Sequence, residues 1–278
     1  MAGDTGIEWT MKTWNPIQGC TKYGPGCLNC YIFPIIARFG PSWGRPENDT
    51  GKVIAAPHKL LEPLRMSKSC DIFTNSMSDL FQVGVSELFI RAVCRAMQMA
   101  SWHRYQVLTK RAERLQKLLK DEFSEFAHCP HIWWGVSVEN RSHGLPRIDC
   151  LRDTPAAVKF LSVEPLLEDL GEINLSGIDW VIVGGESGPG ARPMEADWVR
   201  NIREQCLAAG VKFFFKQWGG VRKKTTGRLL DGQTYDGIPE MPAGPVPTSR
   251  DRKALIALYE AEFGHLGLHR QSPPASAA

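Results

Sequence analysis

Tyr105-Gln106-Val107-Leu108-Thr109-Lys110 and His131-Ile132-Trp133-Trp134-Gly135-Val136-Ser137-Val138-Glu139 are two largely apolar runs joined by a helical segment over 112–126. A strand with one face in water would alternate apolar and polar residues. Runs that stay apolar instead suit a parallel sheet covered by helices. The same unit recurs on both sides. A strand over 71–76 precedes a helix over 86–100, whose Leu88, Phe89, Ala92, Val93, Ala96 and Met99 fall at helical spacing behind Ser86 as N-cap. Strands over 158–164 and 178–185 follow, then a helix over 197–209 and a last strand over 211–218. The crossover through Arg147 to Leu151 reads as shorter and loop-rich.

One more strand is expected before the repeat, where Ile7-Glu8-Trp9-Thr10 leads to Thr13-Trp14-Asn15-Pro16. The sum is an α/β fold, a parallel βα barrel of TIM type, complete or partial. A doubly wound open sheet is the alternative, but Gly184-Gly185-Glu186-Ser187-Gly188-Pro189-Gly190 does not fit the G-x-G-x-x-G fingerprint. The barrel is expected over 1–218 and a small C-terminal extension over 219–278. That extension carries a hairpin turn at Asp231-Gly232, a Pro/Gly-rich link over 238–247, a helix over 249–263 capped by Ser249, and a disordered tail over 271–278.

Between the first strand and the repeat lies Gly19-Cys20-Thr21-Lys22-Tyr23-Gly24-Pro25-Gly26-Cys27-Leu28-Asn29-Cys30-Tyr31, with thiols spaced C-x6-C-x2-C. The Gly24-Pro25-Gly26 turn can fold Cys20 back beside the Cys27 and Cys30 pair. Three thiolates without a local fourth ligand suggest a centre with an open coordination position. An iron–sulfur cluster, a zinc ion with a bound water, and merely structural thiols are the three readings. A short helix over 31–39 follows despite Pro34, then a loop over 40–57 and a helical piece over 58–66.

Composition narrows the class. The chain has 278 residues, 43% hydrophobic and 23% charged, which is ordinary for a globular protein. No apolar run approaches the roughly 18 residues of a membrane span, and the acidic start is no signal peptide, so a cytoplasmic protein without a membrane partner is expected. Eight cysteines in this length make no disulfide scaffold. Cys70, Cys94, Cys129, Cys150 and Cys206 sit among apolar neighbours and read as small core residues. A net charge of +3 does not by itself point to nucleic acid.

Nearly every strand ends in polar groups: Asn75, Ser76 and Asp79; Thr109, Lys110 and Arg111; Ser137 and Glu139; Ser162 and Glu164; Glu186 and Ser187; Lys216 and Gln217. Barrel active sites are assembled from such carboxyl-terminal strand ends, and the cysteine loop follows a strand to the same mouth. Lys110 and Arg111 are the cations best placed to meet a carboxylate. Glu164 and Glu186 are candidates for sugar hydroxyls or a polar substrate, with Arg192 as a partner for one of them or as a phosphate ligand.

These motifs carry a resemblance. Ile7-Glu8-Trp9-Thr10, the three cysteines, Asn75-Ser76-Met77-Ser78-Asp79, Gln106-Val107-Leu108-Thr109-Lys110-Arg111, Gly135-Val136-Ser137-Val138-Glu139-Asn140, Glu164-Pro165-Leu166-Leu167 and the glycine turn through Arg192-Pro193 resemble the bacteriophage-type three-cysteine-motif family. More remotely, that family is similar to radical S-adenosylmethionine enzymes of the spore photoproduct lyase group. The resemblance implies a 4Fe–4S cluster on Cys20, Cys27 and Cys30 whose unique iron chelates S-adenosylmethionine. It implies Lys110 on the methionine carboxylate, Asn75 and Ser76 at the amino group, and Ser137 and Glu139 at carboxylate or ribose. Glu164, Gly184 and Gly185 would lie toward the adenine or the substrate, and Lys110, Glu139 and Glu186 would serve catalysis. The reduced cluster, fed by an electron donor such as flavodoxin, would split the sulfonium into methionine and a 5′-deoxyadenosyl radical acting on a nucleotide or nucleic acid related to DNA. The basic Arg222-Lys223-Lys224 cluster and the aromatics Trp43, Trp133 and Trp218 suit such a substrate. The chain departs from the usual C-x3-C-x2-C spacing, and Asn29 stands where an aromatic commonly precedes the third cysteine. A non-catalytic zinc- or cluster-bearing module that binds nucleic acid or a partner is the rival. A zinc hydrolase lacks its H-x-H or H-E-x-x-H spacing.

Overall fold

The computed structural model describes residues 3–40, 52–240 and 244–269. Its strands are β1 (Gly3–Asp4), β2 (Lys12–Trp14), β3 (Ile17–Gln18), β4 (Ile54–Ala55), β5 (Asp71–Thr74), β6 (Arg104–Thr109), β7 (Ile132–Ser137), β8 (Val158–Val163), β9 (Trp180–Gly184) and β10 (Lys212–Gln217). The helices are α1 (Ile32–Phe39), α2 (Glu62–Arg65), α3 (Glu87–Met99), α4 (Ala112–Lys120), α5 (Ser124–Ala127), α6 (Arg141–Arg152), α7 (Ala196–Ala209), α8 (Lys223–Thr226) and α9 (Ser249–Phe263). One sheet runs β1-β2-β5-β6-β7-β8-β9-β10, and β3 pairs with β4 apart from it. β1 is antiparallel to β2; the other seven strands are all parallel. The α/β parallel architecture is therefore present in its partial form. Among the described residues β10 pairs with β9 and not with β2.

The pleat explains both the long apolar runs and the curl. Outward positions such as Ile72, Val107, Val136, Leu161, Val183 and Phe215 join the helices in one large core. Inward positions form a second cluster of Phe73, Trp133, Phe160, Trp180, Ile182 and Phe214. Trp9 packs 4.8 Å from Phe73 and 6.0 Å from Trp180, ring to ring. Those two lie on β5 and β9, with three strands between them, so the sheet must curl into a half-barrel for one indole to touch both. Rings of this size each take roughly 150–250 Å² from water, on the order of 4–6 kcal/mol before the entropy of ordering them. They form a solid floor.

Several boundaries differ from the sequence reading. The residues 7–10 form a turn rather than a strand, because Trp9 leaves the sheet to plug the floor. The crossover after β7 is the twelve-residue helix α6, with the Asn140 side chain accepting from His143 N at 3.1 Å as its cap. The single helix expected over 112–126 breaks into α4 and α5. Thr248 rather than Ser249 caps α9, its hydroxyl accepting from Asp251 N. The Asp231-Gly232 turn is as expected, with φ of 53° and 80° and a Leu230–Gln233 bridge. Beyond it, Gly237 N donates to Phe213 O and covers the β10 edge. Tyr259, Phe263 and Leu268 enter the same core as the barrel helices. Cys70, Cys94 and Cys206 are buried, while Cys129 and Cys150 are half-buried. Trp43 and the tail over 271–278 lie outside the described residues. No helix among the described residues is long and apolar enough to cross a membrane.

Candidate functional site

Strand alternation puts the expected site residues on one surface. Counting by twos from the aromatic floor, the inward positions at the carboxyl ends are Asn75 after β5, Lys110 after β6, and Ser137 at the end of β7 with Glu139 just beyond it. Ser162 on β8 and Glu164 just beyond it follow, then Gly184 on β9 and Lys216 on β10. The register holds them level: Thr109 pairs with Val136, and Ser137 with Ser162. They form a polar ring resting on the floor.

Inside the ring, charges are buried with partners. Glu139 is fully buried, and its Oε2 accepts from Arg147 Nη1 at 2.5 Å and lies 3.9 Å from Lys110 Nζ. Glu164 lies 3.2 Å from Lys216 Nζ and accepts from Ser162 Oγ. Gly184 sits between those strands, and a Cβ there would come within 2.5 Å of Glu164 Oε1. A Cβ on Gly185 would meet Trp218 O at 2.0 Å. Both glycines thus make room for protein neighbours. Ser76 exchanges hydrogen bonds with the Asn15 amide.

Besides Glu164 Oε1, which makes no hydrogen bond but has the Lys216 ammonium beside it, three polar groups near this ring are buried and unsatisfied among the described residues. Asn75 is 2% exposed, holds φ at 62°, and has neither Oδ1 nor Nδ2 hydrogen-bonded among the described residues. Glu139 Oε1 and Gln217 Oε1 are also buried without a hydrogen bond. Burying such an atom unpaired costs about 1–3 kcal/mol.

The cysteine loop lies across the ring as its roof. A Cβ on Gly24 would be 2.9 Å from Glu139 Oε1, so loop and carboxylate touch. On the β5–β6 side Arg111 pairs with Asp79 at 2.8 Å and donates to Thr21 O and Oγ1, while Gln82 Nε2 donates to Gly19 O. The Tyr23 ring lies against the guanidinium groups of Arg111 and Arg147 at 4.9 and 5.5 Å. The Tyr31 hydroxyl donates to Ser76 O. On the β9 side Asn29 Nδ2 donates to Glu186 Oε2 at 2.9 Å, and Arg192 Nη2 donates to Pro25 O at 2.9 Å.

All three thiols are free, and only Cys27 is buried. Burial, with Asp79 and the other two thiols adding to it, pushes the Cys20 thiol up to about 12; Arg111 opposes. Burial also raises Cys30, with Lys110 and Lys22 opposing. Among the described residues no three His, Cys, Asp or Glu groups are gathered so as to hold a metal ion. Burial alone would raise Glu186, but hydrogen bonds from Arg192 and Asn29 outweigh it and hold the carboxyl below its usual range.

Sequence reasoning missed Arg147, Asn29 and Tyr31. Arg147 sits on α6, whose Gly144 and Pro146 give it the look of a loop in sequence, and a single Asn or Tyr in a loop carries no periodic signal. Arg192 does pair with a glutamate, and it is Glu186. Arg111 is taken up by Asp79 and Thr21 instead of facing the mouth with Lys110. Trp133, an aromatic expected to suit a nucleic-acid substrate, is fully buried in the floor, and Trp218 packs 4.8 Å from Phe215. Arg222 is exposed.

Residues 4–239 match a family described as a protein of unknown function, DUF5131. The chain belongs to that family. No curated protein matches it. Among solved structures it is similar to a substituted spore photoproduct lyase with bound AdoMet and dinucleoside spore photoproduct, at 11% identity and a TM-score of 0.43. That match covers 74% of this chain, which spans 63% of the lyase's length. A spore photoproduct lyase complexed with dinucleoside spore photoproduct matches at 11% identity and TM-score 0.42, covering 95% of this chain and 76% of the other.

Proposed function

We propose that the chain is an iron–sulfur protein that binds S-adenosylmethionine at the mouth of the half-barrel and acts as a radical enzyme on a nucleotide or nucleic acid. The observation that carries this reading is the buried, unsatisfied amide of Asn75, in the same inward ring as Lys110 and the unpaired Glu139 Oε1, with three free thiols in the roof above. A buried polar group without a partner calls for a ligand. The donor set suits the group: thiolates are soft ligands that favour iron–sulfur clusters and zinc.

In this reading Cys20, Cys27 and Cys30 would hold the cluster, which when bound would supply one electron for cleavage of the sulfonium. The chain's own residues bind and orient. Lys110, whose ammonium lies 3.9 Å from Glu139 Oε2, offers that ammonium to the methionine carboxylate. The Asn75 amide can accept from an ammonium and donate to a carboxylate at once. Ser137 and Glu139 Oε1 offer hydroxyl and carboxylate oxygens to the ribose or amino group. Glu164, beside Lys216, faces the far half of the ring, where adenine or substrate would lie. The aromatic floor below and the roof above keep water from a reactive species.

Protein purified and reconstituted without oxygen tests this. A brown protein with iron and sulfide that converts S-adenosylmethionine to methionine and 5′-deoxyadenosine under dithionite supports the proposal. A colourless protein that takes up zinc and leaves S-adenosylmethionine intact would falsify it and favour a zinc-braced binding module.

A further inference from the structure

The cysteine loop is fastened differently at its two ends, and the β9 side is a compact device. Glu186 is 6% exposed and follows β9 in a turn whose backbone is fixed to the next strand: Gly185 N donates to Gln217 O at 3.0 Å, and Gly220 N to Glu186 O at 2.7 Å. On this post sits Arg192, whose N and Nε donate to Oε2 at 3.0 and 2.9 Å and whose Nη2 donates to Oε1 at 2.6 Å. The same Nη2 reaches the roof at Pro25 O, 2.9 Å away. From the roof, Asn29 Nδ2 reaches back to Glu186 Oε2 at 2.9 Å and to Gly190 O at 2.8 Å. Two of the three cysteines, Cys27 and Cys30, lie between or beside these tethers.

We propose that Asn29, Glu186 and Arg192 form a latch that sets the height and order of the cysteine loop over the mouth, and hence the access of Cys27 and Cys30. Asn29 is the part peculiar to the loop. Its primary amide donates twice, to a carboxylate and to a carbonyl, which an aromatic side chain at that position could not do. Glu186 is the fixed point and Arg192 the brace; both act here through the backbone and side chain of the loop, so in the latch they are positioning residues. The consequence for metal retention rests on the proposed function, while the control of thiol access does not.

The test separates the two. In metal-free protein, alkylation of Cys27 and Cys30 is followed by peptide mass spectrometry, with Cys94 and Cys206, both fully buried in α3 and α7, as internal references. Asn29→Ala and Arg192→Ala should each speed modification of Cys27 and Cys30 by roughly tenfold while the references keep their wild-type rates. The double variant should be little faster than either single one, because both act through Glu186. Glu186→Gln, which keeps an acceptor for Asn29 but loses the charge, should fall between. Unchanged rates at Cys27 and Cys30 in both single variants, or references that rise in step with them, would overturn the latch. Loss of iron to a chelator from reconstituted protein is then compared. Faster loss in the same variants extends the latch to the metal, and failure of all forms to take up iron refutes the proposed function while leaving the thiol result standing.

Discussion

Glu139 shows why a residue must be judged by its partners. The sequence marks it only as a carboxylate at the end of an apolar strand; the structure buries it completely on Arg147. Removing one member of a buried ion pair leaves an uncompensated charge, so Arg147→Ala should cost about 3–5 kcal/mol in denaturant unfolding. Lys110 is a different case. Its nearest carboxylate oxygen belongs to the same Glu139, but at 3.9 Å it is beyond hydrogen-bond reach, so Lys110→Gln should cost clearly less than Arg147→Ala, on the order of 1 kcal/mol. What it should lose is ligand affinity. A charge-assisted contact worth about 1.5–3 kcal/mol predicts roughly a 10- to 150-fold weaker Kd for S-adenosylmethionine, measured by calorimetry on cluster-loaded protein. Equal affinity in Lys110→Gln and wild type would remove Lys110 from the binding site.

Elements were legible where the chain repeats a period. Six of the seven parallel strands follow from apolar runs, and their inward ring follows from counting by twos, so Lys110, Ser137, Glu139 and Glu164 could be brought together from sequence. The latch could not, since Asn29 and Glu186 meet only after the chain has folded over 157 residues. Helix α6 was hidden for a local reason. Gly144 and Pro146 are poor interior helix residues, yet the helix lies so close to β7 that a Cβ on Gly144 would come 2.5 Å from Val138 Cγ1. Packing thus overrides propensity, and the two make opposite predictions. Propensity says that Gly144→Ala stabilises by up to about 1 kcal/mol; overpacking says it destabilises by about 1–3 kcal/mol. A lowered Tm is expected, and a raised one would show that α6 can shift away from the strand.

At the scale of the whole molecule, the half-barrel has a chemical top and a packed bottom, and acid should attack the bottom first. His103 is fully buried just before β6, with Nε2 3.2 Å from Pro63 O and Nδ1 3.5 Å from Cys70 Sγ. Because a carbonyl can only accept, Nε2 carries the proton and Nδ1 accepts from the thiol. Trp102 lies beside it and Tyr105 meets it edge-on. Burial therefore lowers its pKa to about 4, with His131 adding to the effect and the Pro63 hydrogen bond opposing it. The unfolded chain protonates near 6.5 while the folded one resists until about 4. The folded form thus binds fewer protons across that window, so stability is full above pH 6.5 and falls as pH drops toward 4. The gap amounts to roughly 3 kcal/mol at 1.36 kcal/mol per pH unit. Other groups titrate in the same range, so the comparison is between wild type and His103→Gln by urea unfolding at pH 7 and pH 4.5. Wild type should lose about 2–3 kcal/mol more than the variant over that interval. Parallel losses in the two proteins would mean that His103 takes up its proton without unfolding, and that the core around Trp102 and Tyr105 is open to water.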